Sequence, residues 1–365
     1  MEERLSGAGG DLLADIRGGV ATVTLNRPAA LNALTLAMLE GLASWLDAWE
    51  GDPRVRVVAL RGAGDKAFCA GGDIRELRDM FVAGSGRHDH FFEVEYGLDH
   101  RIHTYPKPIV AVMDGIAMGG GMGIAQGAAL RIAGPRTRVA MPETRIGFFP
   151  DVGGTWFLQK GPGHVPMYLG LTGVAIGGAD SLYAGLVDAC FPPAAIAMLD
   201  AELPRVAAAP DPRAALADLG RRHAIAQGPG ELESLRPAID RHFGRDGVAA
   251  IVASLLAEDR PEFQPWAAKT AALLAERSPT LLRVTFEQLR RGRGLGLADC
   301  FRLELNLMHG CFAQRDFVEG IRALIVDKDN APRWNPPSLT EVTDASVAAF
   351  FAPRWSPPEH PLRHL

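Results

Sequence analysis

The stretch "KPIVAVMDGIAMGGGMGIAQGAALRIAG", Lys107 to Gly134, limits the fold more than any other part of the chain. Its opening, "KPIVAVMDG", is almost continuously apolar, so both faces need cover, as in a strand inside a parallel sheet. "AMGGGMGIAQGAAL" then reads as a turn opening into a helix of small residues, and "LRIAG" as the next strand. A strand, helix and strand joined this closely form a crossover, which belongs to α/β architecture. Upstream, "GVATVTLNRP" alternates and is rich in Val and Thr, a strand that Pro28 ends. Thr35 is placed to cap a helix in which Met38, Leu39, Leu42, Trp45, Leu46 and Trp49 recur at three- and four-residue steps. "RVRVVALRG" reads as a further strand and "RVAMPE" as a short one.

From about residue 155 helices dominate, including "SPTLLRVTFEQLRRG" with Ser278 or Thr280 near its cap and "LADCFRLELNLMHGCFAQRDFVEGIRALIVDKD". The Ala-, Pro- and Arg-rich segment 204–230 reads as a connection plus a peripheral helical insertion, and "APRWSPPEHPLRHL" as a loosely packed tail.

Composition excludes several classes of function. The net charge of −5 provides no basic field for nucleic acid or anionic lipid. No run of 18 apolar residues occurs, so no membrane span is expected. Cys69, Cys190, Cys300 and Cys311 are far apart with no CxxC pair, and no HExxH pattern exists, so neither a metal site nor a disulfide framework is indicated. The N-terminal residues are acidic and lack an apolar signal region. A reducing, cytoplasmic setting follows as the expectation.

Three stretches carry the chemistry, each with a plainer alternative. "RGAGDKAFCAGGDI" (61–74) holds four glycines after a strand. Either it is an ordinary turn, or its N–H groups point at an anion or developing oxyanion. "DGIAMGGGMGIAQG" (114–127) could mark tight helix packing, an amide-rich helix start, or a dinucleotide fingerprint through Gly121, Gly123 and Gly127 with Glu143 as its acid. That last motif, however, places its acid at the end of the second strand. In "AMPETRIGFFPDVGG" (140–154), Glu143 and Asp151 flank a Gly-Phe-Phe-Pro segment. They are either two solvated loop charges or an acid pair whose burial suits proton transfer near neutrality. No GxSxG elbow and no P-loop occurs. Acyl chemistry, if present, would rest on carboxylates and backbone amides.

In this order and at these distances the stretches resemble the crotonase (enoyl-CoA hydratase/isomerase) superfamily. The match begins at "VTLNRPAALNALT" and continues through "KAFCAGGDIREL", "MGGGMGIAQG" and "AMPETRIGFFPDVGGTWFL". Within it, "FCAGGDIR", "FFEVEY", "PETRIGFFPDVGG", "DFVEGIRALIVDKDNAPRW" and "LTEV" are similar to the 3-hydroxyisobutyryl-CoA hydrolase family of valine catabolism. The similarity covers about residues 18–345.

The resemblance implies a spiral of ββα units in residues 1–195 carrying a CoA thioester site. A helical region with an insertion would follow at 196–345, then the tail at 346–365. It implies an acyl-CoA substrate, no cofactor beyond the CoA carried by that substrate, no metal, and a possible homo-oligomer. The oxyanion donors would be the N–H groups of Gly72 and Gly120, with Ala70 and Gly71 lining the acyl site. Glu143 falls on the family's catalytic glutamate, Asp151 on its partner acid, and Glu95 on a substrate-binding glutamate. Lys328 aligns with a basic position near the CoA phosphates, with Arg27 and Lys66 as further candidates. Hydratases carry a second glutamate where this chain has Gly123. Hydration ordinarily needs two acid/base groups, so unless Glu95 or Asp151 substitutes, the departure favours thioester hydrolysis.

Overall fold

The computed structural model describes residues 3–365. Ten strands form two sheets: β1 Glu3–Gly7, β2 Leu12–Arg17, β3 Val20–Leu25, β4 Val57–Gly62, β5 Ala67–Cys69, β6 Ile109–Val112, β7 Ile116–Met118, β8 Leu130–Ala133, β9 Arg138–Ala140 and β10 Ala189–Cys190. The larger sheet has the order β1-β2-β3-β4-β6-β8-β10, and the smaller β5-β7-β9. The chain therefore lays one strand in the large sheet, one in the small sheet, then a helix, and repeats. This is the expected spiral of ββα turns. From β3 onward the large sheet is parallel, while β1, β2 and β3 pair antiparallel.

The chain separates into two compact units that interleave along the sequence. The first comprises residues 1–73, 89–139 and 176–229; the second comprises 74–88, 140–175 and 230–365. Each draws on several segments, whereas the sequence boundaries at 195 and 345 cut the chain once each.

In the first unit the apolar strands are buried as their composition requires; Val57, Val58, Val110, Ala111 and Ile132 have almost no exposed surface. Thr35 caps the Leu36–Glu50 helix by accepting from the Met38 N–H at 3.3 Å. Helices Pro193–Ala208 and Pro212–His223 cover the sheet, where Leu203, Val206, Leu216 and Leu219 pack among Val20, Val57, Val110 and Leu130. Burying Val206, Leu216 and Leu219 contributes roughly 1.5–3 kcal/mol each. The helical part of segment 204–230, up to His223, is thus core cover, and only residues 224–230 form an exposed connection. Its alanines and prolines disguise the three apolar anchors.

The second unit is mainly helical. Ser278 caps the Pro279–Arg291 helix by accepting from the Leu281 N–H at 3.1 Å. The long helical pattern near residue 310 breaks at Arg315, whose φ of 75° ends the Leu297–Gln314 helix and starts Asp316–Ile321. The C-terminal segment is better anchored than its prolines suggest. Arg302 donates to the carbonyls of Leu362 and Leu365, Trp355 packs edge-on against His309, and Leu362 is buried.

Candidate active site

The first unit builds an amide pair. Leu34 bridges Gly72 in parallel: its N–H donates to the Gly71 carbonyl and its carbonyl accepts from Asp73, both at 2.8 Å. The residue skipped by such a bridge turns its own amide to the opposite side. Gly120 opens the Gly120–Gln126 helix, where first-turn N–H groups have no intrahelical acceptor. The two glycines adjoin. A Cβ on Gly120 would stand 3.3 Å from the Gly72 nitrogen, and one on Gly71 would stand 3.4 Å from the Gly120 nitrogen. Gly71 has φ +107°, a conformation that a residue with a side chain resists. Backbone donors gathered this closely, without side chains between them, suit a developing oxyanion.

Glu95 belongs to the same cluster. It lies on the Arg87–Thr104 helix, is 2 % exposed, and holds Oε1 2.3 Å from where the Gly120 Cβ would be. Asp99, one turn further along that helix, is buried as well. Burial, followed by the charges of Glu95 and Asp99, pushes the Cys69 thiol up to about 12, which makes it an inert filler. The glycine run also serves packing: a Cβ on Gly121 would collide with the Cys69 carbonyl at 2.3 Å. The dinucleotide arrangement does not form. Glu143 lies in the turn after β9, not at the end of β8, the strand that follows the glycine helix.

Ala70 follows β5 and donates its N–H to Leu31. Arg27 spends its guanidinium on Asp73, Asp11 and the Ala33 carbonyl. Lys66 is exposed at the start of β5.

The second unit holds the acids. Glu143 starts a 3₁₀ turn, Glu143–Ile146, that Gly147 closes at φ +72°. A Cβ on Gly147 would meet the Asp316 backbone at 2.4 Å, so this turn is pressed against the start of the Asp316–Ile321 helix. Phe148 stacks on Phe149 at 4.7 Å and meets Phe317 at 4.8 Å, so the segment between the two acids in sequence is packed and buried. Glu143 is 6 % and Asp151 5 % exposed, so neither is a solvated loop charge. Lys328 is exposed between Asp327 and Asp329, both paired with Arg322 at 2.7 Å.

Two supports escaped the sequence reading. Glu304, fully buried, accepts from the Gly153 N–H at 2.7 Å and the Thr155 N–H at 2.9 Å. Gln288 donates to the Pro150 carbonyl at 2.6 Å and to Thr155 Oγ1 at 2.8 Å. Both grip the segment that carries Asp151. The available signal was a charge inside an apolar stripe: Glu304 stands among Phe301, Leu305 and Met308 at helical spacing.

The model of the enoyl-CoA hydratase/isomerase family matches residues 20–351. The chain belongs to this family. Among relatives, the "3-hydroxyisobutyryl-CoA hydrolase, mitochondrial" of Xenopus tropicalis is 39% identical over 347 residues, 94% of this chain and 89% of that protein. The "Probable 3-hydroxyisobutyryl-CoA hydrolase 2" of Arabidopsis thaliana is 36% identical, covering 93% and 91%. Among solved family structures, a carnitinyl-CoA dehydratase from Mycobacterium thermoresistibile is similar at 42% identity and a TM-score of 0.85, covering 94% of this chain and 96% of that one. An enoyl-CoA hydratase from Rhodobacter sphaeroides 2.4.1 matches at 40% identity and a TM-score of 0.85, covering 94% and 98%.

Proposed function

We propose that the protein is an acyl-CoA thioester hydrolase that converts a short-chain 3-hydroxyacyl-CoA, of the 3-hydroxyisobutyryl-CoA type, to free acid and CoA. The observation that carries this reading is the adjacency of the Gly72 and Gly120 amides beside the buried Glu95 carboxylate. The names of the frog and Arabidopsis relatives support the same substrate.

In this reading the thioester carbonyl oxygen accepts from the Gly72 and Gly120 N–H groups. Negative charge develops there as the carbonyl carbon becomes tetrahedral. Glu143 supplies the attack in one of two ways. As general base it takes a proton from water, whose oxygen bonds to the carbonyl carbon as the C–S bond breaks. As nucleophile it forms an acyl-glutamyl anhydride, expelling thiolate before water opens the anhydride. Either route consumes one water and releases one carboxylic acid and one thiol. Solvent ¹⁸O entering the Glu143 carboxylate over several turnovers supports the anhydride, and its absence supports the general base. Asp151 positions the water and Glu143 or protonates the leaving thiolate. Glu95 accepts from the substrate's 3-hydroxyl and so favours acyl groups that carry one. Lys328 serves the CoA phosphates from its exposed position. Arg27 is the weaker candidate, because its charge is already matched by Asp11 and Asp73.

The names of the two solved relatives favour a second reading, hydration or dehydration of an enoyl-CoA. Against it stands Gly123, inside the Gly120–Gln126 helix, where hydratases carry their second glutamate. Incubation with 3-hydroxyisobutyryl-CoA and with crotonyl-CoA separates the two. The hydrolase releases a thiol from the first; loss of enoyl absorbance from the second without thiol release would establish the hydratase. All four protein cysteines are buried, which keeps the thiol readout clean.

No described helix is long and apolar enough to cross a membrane. A cytoplasmic setting is our reading from the four unbridged cysteines. The word "mitochondrial" in the frog protein's name is said of that protein.

A further inference from the structure

We propose that Glu304 is a positioning residue for catalysis, holding Asp151 in place through the backbone that follows it. The inference rests on the hydrolytic role given to Asp151 above. The loop from Asp151 to Thr155 is bent against its preferences. Val152 has φ +51°, in the left-handed region that β-branched residues avoid, and Gly153 follows at φ +85°. Such a bend persists only where its surroundings hold it, and the hold here comes from two helices. From the Leu297–Gln314 helix, Glu304 takes the N–H of Gly153 on Oε2 and that of Thr155 on Oε1. From the Pro279–Arg291 helix, Gln288 donates from Nε2 to the Pro150 carbonyl and to Thr155 Oγ1. Asp151 therefore sits between two clamped points, with its own carbonyl accepting from the Gly154 N–H at 2.7 Å.

Glu304 replaces a local cap. The Gly154–Phe157 turn is preceded by Gly153, which has no side chain to cap it, so its amides are satisfied by a carboxyl 151 residues away in sequence from Gly153. Burying a carboxyl costs stability that an apolar residue at position 304 would avoid. Burial pushes Glu304 up to about 8 despite the lowering by its Gly153 and Thr155 donors, and the charge of Asp151 adds to the rise. A group kept at that cost, bonded to the backbone of Gly153 and Thr155 and to the Thr155 side chain, acts on the placement of Asp151.

The test is a double-mutant cycle on CoA release from 3-hydroxyisobutyryl-CoA. Glu304→Gln keeps the shape but presents an NH₂ to one of the two N–H donors. It should lower kcat by about 10²-fold, the scale of a roughly 1 Å misplacement, and leave KM within about threefold. In an Asp151→Asn background the same substitution should lower kcat less than about twofold, because the residue it positions no longer acts. Full kcat in Glu304→Gln, or equal loss in both backgrounds, would overturn the inference. If Glu304→Gln does not fold, Gln288→Met loosens the same loop from its other side and is held to the same outcomes. Failure of the underlying reading looks different: Asp151→Asn alone would then turn over at the wild-type rate.

Discussion

Gly120→Ala tests the amide pair together with the Glu95 carboxylate packed against it. Gly120 lies outside the left-handed region, at the first position of a helix, so alanine suits its backbone. The added methyl, however, would stand 2.3 Å from Glu95 Oε1 and 3.3 Å from the Gly72 nitrogen. The first distance is roughly 1 Å inside ordinary contact. Glu95 has little room to yield, being 2 % exposed, so the overlap should cost about 1–3 kcal/mol of stability. The second distance puts the methyl beside the Gly72 amide, which the proposed mechanism gives to the acyl oxygen. Losing one oxyanion donor costs on the order of 3 kcal/mol of transition-state stabilisation, a factor of about 10²–10³ in kcat. Denaturant unfolding reads the first cost and steady-state CoA release the second. Glu95→Ala added to Gly120→Ala removes the overlap, and should restore part of the stability without restoring turnover. A Gly120→Ala variant with kcat within about threefold of wild type would refute the reasoning.

Two further outcomes follow from the buried acids. Glu95→Gln keeps an acceptor but removes its charge, and should reduce the preference for 3-hydroxyisobutyryl-CoA over isobutyryl-CoA roughly tenfold in kcat/KM; an unchanged ratio would remove Glu95 from substrate selection. Glu304, raised to about 8, keeps its proton when folded over a range where the unfolded chain has lost it. Its favourable contribution is full below the ordinary glutamate range and is lost as pH rises through about 8. Wild type should therefore lose up to about 5 kcal/mol relative to Glu304→Gln between pH 4.5 and 8.5; a stability difference independent of pH would contradict it.

What the sequence displayed depended on the range over which each feature acts. The buried strands around Val57, Val110 and Ile132 were legible because continuous apolar runs need cover on both faces. The caps at Thr35 and Ser278 were legible because cap and amide are three residues apart. Of the small sheet only β9 was legible, in "RVAMPE"; β5 and β7 are three residues each, too short to show a period. The opening hairpin was hidden by its charges: β1, with Glu3 and Arg4, has no buried residue, and Asp15 and Arg17 interrupt β2, which buries only Leu12, Ala14 and Ile16. In the candidate site, Gly72, Gly120 and Glu143 stood out through glycine runs and the Met-Pro-Glu turn. Glu304 and Gln288 did not, because they reach their partners across more than a hundred residues and no local pattern announces such a reach.

The most direct test of the account is CoA release from 3-hydroxyisobutyryl-CoA by wild type and by Glu143→Gln, with folding of both verified by unfolding curves. The account predicts one thiol per acid formed by the wild type, and a Glu143→Gln variant that folds but is slower by about 10³-fold or more. A folded Glu143→Gln variant releasing thiol at the wild-type rate, or a wild type that releases none, would contradict it.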